Sequence, residues 1–598
     1  MKKYNYGKLG IAFLLTCGMS FSSCKKAFDL KPKSEVDITD TYQNVYDVNA
    51  AVIGIYGQFI SLAEQYVVLN ELRADLMETT TNADKNLVEI AQHNVTAGNP
   101  WADPRPFYKV IINCNDVLYN MKLMLAANKI NQDDYNQRYS DIGALRSFLY
   151  LQLGIHFGTV PYVTDPIANI NDLKDASKFP RLPFKTLIDN LVTFTAALPY
   201  LDPYATSATT TSSPSTSLIT TADGYLTKYN FINKRMLLGD LYLWQGTNYT
   251  EAARQYRVVM EYQTNNTNIN ISYYTYKIPI ADVAANNDLT VGYLRYRETD
   301  INSLVNSNTQ GWRSIFARPQ DALYDTEWIW AMTFDNTFAP NDPFIDLFSN
   351  QGGSYLVKPS QTAVNYWNSQ KQRNGFPYDQ RGNFTYRTIN GQPVIVKYLY
   401  YYLDANSFIP TKFFTQKGKW FLQRAEMLHL RFAEAANRDG RSKLAFALLN
   451  SGIKTTFNGS YPNNPVFFPV PTDVTNIEQT LDSPPYDFDA RQGDAPRYRS
   501  PWYQNTGIRQ RGYVTDLDFG LSTNMLGLED ALVQESALTL AYEGQRWPDL
   551  LRIALRRNDP SFIANKVADR LNRDGFGAAA ATAQAKLSAG NYYLPFNW

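Results

Sequence analysis

Helix-period apolar text recurs in pairs along this chain, and any fold it adopts must stack those pairs. VYDVNAAVIGIYGQFISLA (45–63) goes with PFYKVIINCNDVLYNMKLMLA (106–126), and DIGALRSFLYLQLGIHF (141–157) with FKTLIDNLVTFTAALP (184–199). TKYNFINKRMLLGDLYLWQG (227–246) goes with NYTEAARQYRVVMEY (248–262), and KWFLQRAEMLHLRFAEAANRDG (419–440) with RSKLAFALLNSGIK (441–454). Apolar residues at three- and four-residue intervals give each first segment a buried stripe. Gly-containing turns join the third and fourth pairs. One such pair cannot bury its own stripe, so each is expected to pack on the next.

The third pair defines the repeat best. Gly239, Tyr242, Gly246, Tyr249, Ala252 and Tyr256 fall near the spacing of a tetratricopeptide repeat, with one extra residue in the turn,. Small residues there let two helices approach closely, and tyrosines fill the groove beside the next pair. The fourth pair repeats the idea with Gly440, Ala445 and Leu449. The expected fold is therefore all-α dominated, with four tetratricopeptide-like pairs: repeats at about 45–262 and 419–454 and C-terminal helices at 527–557. Between them, 263–418 and 455–525 are rich in Asn, Thr, Tyr, Gly and Pro, with strand-like pieces EWIWAMTF (327–334) and VIVKYLYYYL (394–403). Long irregular stretches inside a compact domain are usually functional or disordered, and the aromatic content here favours order. ATSATTTSSPSTSLITT (205–221) reads as a surface loop,.

The first residues are read as a leader. Lys2, Lys3 and Lys8 precede the short apolar stretch IAFLLTCGM, and small residues Ser22 and Ser23 stand before Cys24. A positive start, a short apolar core and a small-residue cut are a secretory signal, and a cysteine just after the cut marks a bacterial lipoprotein. Residues 1–23 are expected to be removed, Cys24 to carry the lipid, and 24–598 to form one domain. No later apolar run is expected to span a membrane. With Cys17 gone and Cys24 lipidated, only Cys114 remains, so no internal disulfide is expected,.

Composition removes other classes. Lys+Arg is 57 against 56 Asp+Glu, and no long basic run appears, which argues against a nucleic-acid binder,. His93, His156 and His429 are the three histidines, each in or beside apolar helical text, and are read as structural. No nucleophile elbow, zinc motif or phosphate loop is visible. Asp516/Asp518 and Asp487/Asp489 alternate as calcium ligands do, but no full ligand set accompanies them, so no cofactor is expected beyond a weak case for structural calcium,. The 42 Tyr, 32 Phe and 10 Trp suit a surface that stacks flat, hydroxylated ligands,.

Several motifs together resemble the SusD/RagB family of outer-membrane nutrient-binding lipoproteins from Bacteroidota. ELRADL (71–76) is similar to the family's E-x-R-x-D segment, and Trp101 with FYKVIINCNDVL (107–118) to its W…Y..I..AN.VL helix. ALRSFLYLQLGIHFGTVPYVTDP (144–166) resembles its arginine-led helix and following turn. WFLQRAEMLHLRFAEAAN (420–437) matches on Arg424, Ala425, Glu426, Glu434 and Ala435. EDALVQESALTLAYEGQRWPDLLR (529–552) matches on Glu535, Glu543, Gly544, Arg546, Trp547, Asp549 and Arg552, and YYLPFNW (592–598) resembles the closing motif. The resemblance implies helical repeats scaffolding an irregular ligand-facing half. It also implies a cell-surface lipoprotein that captures oligosaccharide, or in some members peptide, and delivers it to a SusC-like TonB-dependent transporter. A surface glycoside hydrolase is the runner-up, because hydrolysis needs only two well-placed carboxylates.

The resemblance further implies a ligand face built from residues 71–105 and roughly 310–385. Arg73, Asp75, Asn82 and Arg105 are the polar candidates for ligand hydroxyls, and Trp101 the favoured aromatic,. Trp312, Tyr324, Phe338 and Trp367 are the other platform candidates. Trp328 and Trp330 share a strand face, so one of them is expected in the core. Glu543, Arg546 and Asp549, and Arg424 with Glu426 and Glu434, are read as structural ion pairs rather than catalytic groups.

Overall fold

The computed structural model describes residues 41–167, 171, 175–204, 218–222, 225–261, 277–279, 288–290, 314–317, 327–337, 339–373, 375, 377–404, 407–411, 417–457, 483–486, 507–512 and 514–598. Helix α1 (Val45–Phe59) opens where Asn44 and Asp47 close a reciprocal capping box,. It does not stop at residue 63. A 3₁₀ turn (Ile60–Leu62), an α turn (Ala63–Val67) and a π turn (Val68–Leu72) carry the helical path into the ELRADL segment. Val45–Leu72 is thus long and apolar enough to cross a membrane, contrary to the expectation from sequence, although 61% of its apolar window is buried inside the fold. Its apolar residues are core residues.

From there the helices stack in chain order. α2 (Arg105–Ala126) packs on α1 and on α3 (Gln132–Phe157), α3 on α4 (Phe184–Ala196), and α4 on α5 (Lys234–Gln245). α5 packs on α6 (Tyr249–Glu261), α6 on α7 (Ala425–Arg438), and α7 on α8 (Ser442–Leu449). The close approach of α5 and α6 rests on Gly239. A β-carbon there would stand 2.6 Å from the Tyr256 ring, while the buried Tyr256 hydroxyl donates to Asp240 Oδ1 at 2.5 Å. α9 (Met525–Thr539) packs on α7. α10 (Arg546–Arg557) then returns to the Val68–Leu72 turn, and α11 (Ser561–Arg573) packs on α10 and α12 (Gly577–Ser588).

Several boundaries differ from the periodicity. α3 begins at Gln132, capped by the Asn131 side chain, although its first two turns are polar text. α5 begins at Lys234 behind an Asn233 cap, because Thr227–Asn230 form a 3₁₀ turn. Residues 418–424 are a strand, not the start of a helix. α11 and α12 extend the helical C-terminus past 557; α12 is alanine-rich, with Leu587 its one large apolar residue, so periodicity gives little signal there.

The strands make small antiparallel pairs between the helices. β1 (Met77–Thr79) pairs with β3 (Val357–Pro359), β2 (Trp328–Phe334) with β6 (Gly418–Arg424), and β4 (Tyr386–Ile389) with β5 (Gln392–Ile395). Trp328 and Trp330 are both in the core, correcting the expectation that one faces out: Trp328 stacks on Phe421 and Trp330 on Phe59. The strand-like piece at 394–403 ends early as a strand. Tyr398, Tyr400 and Tyr402 sit in a following turn region, each donating its hydroxyl to a distant backbone carbonyl.

The motifs that carried the family resemblance meet in one buried ionic core. Glu71 Oε1 accepts the backbone N–H of Gly544 (2.7 Å) and Gln545 (2.9 Å) at the start of α10; burial, opposed by those donors, pushes its carboxyl up to about 8,. Asp75 makes a two-pronged pair with Arg546 at 2.6 and 2.7 Å. Burial raises the Asp75 carboxyl, but Arg546 more than reverses this and leaves it below its usual value. Arg424 bonds Glu327 (2.9 Å), Glu426 and Glu543 (2.8 Å), and Lys397 reaches Glu543 at 2.7 Å. Arg552 pairs with Glu434 and Asp549, and Arg431 also reaches Asp549. The charged motifs are structural ion pairs, but with different partners from those nearest in sequence. Arg546 binds Asp75 rather than Glu543 or Asp549, and Glu434 binds Arg552 rather than Arg424.

Candidate functional site

β1 and β3 bring the two expected segments side by side. Past the strand ends, Thr80 N–H donates to the Leu356 carbonyl (2.9 Å) and Asn82 Nδ2 to the Ser354 carbonyl (2.9 Å). Residues 71–105 and 350–360 therefore share an edge, although only some expected residues lie open on it.

Arg73, Asp75 and Trp367 are corrected from ligand contacts to core. Arg73 is buried with its guanidinium 3.9 Å over the Trp547 ring, and it donates to His156 Nδ1 (3.2 Å) and to the Tyr592 carbonyl. Burial pulls its pKa down to about 9. Asp75 is consumed by Arg546 and by the Tyr366 hydroxyl at 3.0 Å. Trp367 is sealed behind the ring of Tyr386, with its indole N–H on the Leu538 carbonyl. All three lie where the chain turns back onto itself, which the π turn after α1 enforces for the first two.

The remaining candidates divide. Asn82 is exposed beside Ser354. Arg105 is exposed and paired with Asp103 at 2.7 Å. Trp101 is half-buried in a 3₁₀ turn (Pro100–Ala102) capped by Asn99, with its carbonyl taking the Gln65 Nε2 donor at 2.8 Å. Cys24, Trp312, Tyr324 and Phe338 lie outside the described residues. So do Asp487 and Asp489. Of the other carboxylate pair, Asp516 is occupied by Arg373 and Ser451, and Asp518 caps the Gly520 N–H. Among the described residues no cluster of three or more His, Cys, Asp or Glu is arranged to hold a metal. His93 and His156 are buried around Arg73; burial, then the Arg73 charge, holds both well below the usual imidazole pKa.

A cleft of about 580 Å³ opens beyond this edge, which the sequence did not point to. Its walls are the β4–β5 hairpin and the loop around Ser407–Ile409, tied together through the segment after residue 348. Asn350 Nδ2 donates to the Ile389 carbonyl (2.7 Å) and to Gln392 Oε1 (3.0 Å), and Gln351 Nε2 donates to the Phe408 carbonyl (3.0 Å). The hairpin turns on Asn390 (φ 52°) and Gly391 (φ 76°), both left-handed, as a tight Asn-Gly hairpin requires. That dipeptide between YRTI and QPVI is the signal that would have located this wall. Phe408 is also left-handed (φ 56°), a strained conformation for a bulky residue that binding sites often hold,.

The lining combines aromatic and amphipathic faces from Tyr386 and Phe408 with the amides and hydroxyls of Gln351, Asn383, Thr388, Asn390 and Ser407. Among the described residues Arg387 is the one charged residue that lines it, and no Asp or Glu does. Neutral hydrogen-bonding groups beside flat rings are the chemistry that holds a sugar.

No family model and no curated relative matches the sequence. Solved structures match over nearly the full chain. A SusD homologue from Bacteroides thetaiotaomicron aligns with TM-score 0.55 at 13% identity, over 92% of this chain and 94% of its own. A SusD superfamily protein from Bacteroides vulgatus aligns with TM-score 0.54 at 13% identity, over 91% and 92%. The surface glycan-binding protein A of Bacteroides uniformis aligns with TM-score 0.53 at 13% identity, over 92% and 96%.

Proposed function

We propose, starting from the SusD-like fold this chain adopts, that it is a glycan-capturing protein and not an enzyme. The carrying observation is the cleft: it offers aromatic faces, amides and hydroxyls, and no carboxylate of the described residues lines it. A glycosidase needs a carboxyl pair flanking the scissile bond, so the lining favours capture over cleavage. The one solved relative named for its ligand above is a surface glycan-binding protein, which supports the same assignment. In this proposal Cys24 is the lipid anchor on the outer membrane, and a SusC-like TonB-dependent transporter receives the ligand. Binding of peptide, as in other members of the resembled family, is the alternative.

Titration of the protein lacking residues 1–24 with a panel of oligosaccharides tests the proposal. Saturable binding without release of new reducing ends supports it; steady cleavage, or preference for peptides across a matched panel, overturns it.

Two variants extend the test. Cys24→Ala should leave the protein in the soluble fraction of cells lacking the transporter; retention in washed membranes there would remove the lipid assignment. Trp101→Ala should weaken glycan binding by roughly thirtyfold if the ring contributes about 2 kcal/mol. Because Trp101 is half-buried, its removal should also cost about 1–2 kcal/mol of stability. Unchanged affinity in a folded variant would take Trp101 out of the site.

A further inference from the structure

We infer that the cleft selects acidic sugars, with Arg387 as the residue that receives a carboxylate; this rests on the glycan-binding proposal above. The guanidinium of Arg387 stands 4.7 Å over the Phe408 ring and 5.5 Å over that of Phe384. Both rings are within cation–π reach of the guanidinium,. Its backbone belongs to the β4–β5 ladder, but no hydrogen bond or ion pair joins the Arg387 side chain to any described residue. This sets it apart from Arg73, Arg381, Arg424, Arg431, Arg546 and Arg552, all of which are buried and bonded in the core.

A half-buried cation in a cleft that no acidic side chain of the described residues lines leaves one charge to be met by a ligand. Asp404 on the facing loop does not line the cleft and accepts the N–H and hydroxyl of Ser407 at 2.7 and 2.9 Å. Guanidinium presents parallel N–H donors that match the two oxygens of a carboxylate. A sulfate can also place two oxygens on that fork, so the sulfated sugar is the competing ligand that the test separates. Gln351, Asn383 and Thr388 line the same cleft with neutral donors and acceptors suited to a sugar's hydroxyls. The ligand class that fits is an oligosaccharide carrying uronic acid residues, with the carboxylate on Arg387 and a ring face toward the half-buried Tyr386. No bond is made or broken.

The test uses the protein lacking residues 1–24 and three matched trisaccharides. They are a galacturonic acid trimer, the same trimer with its carboxyls reduced to hydroxymethyl groups, and a sulfated neutral trimer; an acidic peptide is the fourth ligand. Isothermal titration should rank the uronate first. Arg387→Gln should lower uronate affinity by about tenfold to a hundredfold, the usual worth of a charged hydrogen bond, and leave the reduced trimer unchanged. Arg387→Lys keeps the charge without the fork and should fall between. Circular dichroism melts of both variants establish that they are folded. Equal affinity of wild type for the acidic and reduced trimers overturns the inference while the glycan-binding proposal stands. A preference for the sulfated trimer or the peptide overturns it in favour of that ligand. No binding of any sugar overturns both.

Discussion

Arg424→Met is expected to be among the most damaging single substitutions in this chain. The guanidinium holds three carboxyls at once, from Glu327 on the approach to β2, Glu426 in the first turn of α7 and Glu543 before α10. It also donates to the Thr539 carbonyl at 2.7 Å. Burial, opposed by Arg424 and reinforced by Glu426 and Glu543, already holds Glu327 well above the usual carboxylate range. Lys397 is left as the one cation bonded to Glu543, and burial draws its own pKa down to about 8. Removing one member of such a buried set costs about 3–5 kcal/mol. The denaturant midpoint should drop accordingly. Without Arg424 the carboxyls bind protons more tightly in the folded than the unfolded state. Their contribution is then complete below the unfolded carboxyl pKa and is lost as pH rises. The deficit should therefore be larger at pH 8 than at pH 5. An unchanged midpoint at pH 8 would mean that the set is not held by this arginine.

Arg546→Ala is the second large effect, of similar size, because it strands Asp75 and the Val533 carbonyl that Arg546 Nη1 reaches at 2.9 Å,. Its value is that it separates two roles for Asp75. If Asp75 is scaffold, Asp75→Asn and Arg546→Ala should each lower stability, and the double substitution should cost less than their sum. Glycan affinity measured below the melting transition should stay the same in all three. Loss of binding by Asp75→Asn with little loss of stability would return Asp75 to the ligand face.

These residues also show where sequence was sufficient and where it was not. The repeat pairs were legible because helical stripes are local: Gly239 and Tyr256 stand 17 positions apart and meet as their spacing suggests. The ion pairs were legible in kind but not in partner. Arg546 has carboxylates three residues away on either side, yet its geometry favours Asp75, whose sequence separation is 471. Arg73, Asp75 and Trp367 looked available because polar and aromatic side chains in irregular text often bind ligands. Arg73 and Asp75 are buried because α10 closes over them, and Trp367 because it packs behind Tyr386 with its N–H on the Leu538 carbonyl of α9. Tyrosine abundance misled for a related reason. Tyr398, Tyr400 and Tyr402 bury their rings and pin backbone carbonyls, so much of the aromatic excess is mortar rather than platform. The cleft was missed because its walls come from an Asn-Gly hairpin and a loop that periodicity does not register.

The return of α10 to the end of the first helical run changes how the molecule should come apart. An open stack of helical pairs loses its ends first, since each unit is held by its neighbours alone. Here the end of the first helical run and α10, far apart in the chain, clasp one another through Glu71, Asp75 and Arg546, so the stack of pairs between them is closed rather than open. Unzipping from one side must first break a clasp closed over more than four hundred residues. Once broken, that closure regains little from local contacts and is slow to re-form. Amide exchange in the two clasped segments, Val68–Leu72 and α10, should consequently be as slow as in the middle of the stack. A nascent chain, likewise, cannot close this clasp until Arg546 has arrived.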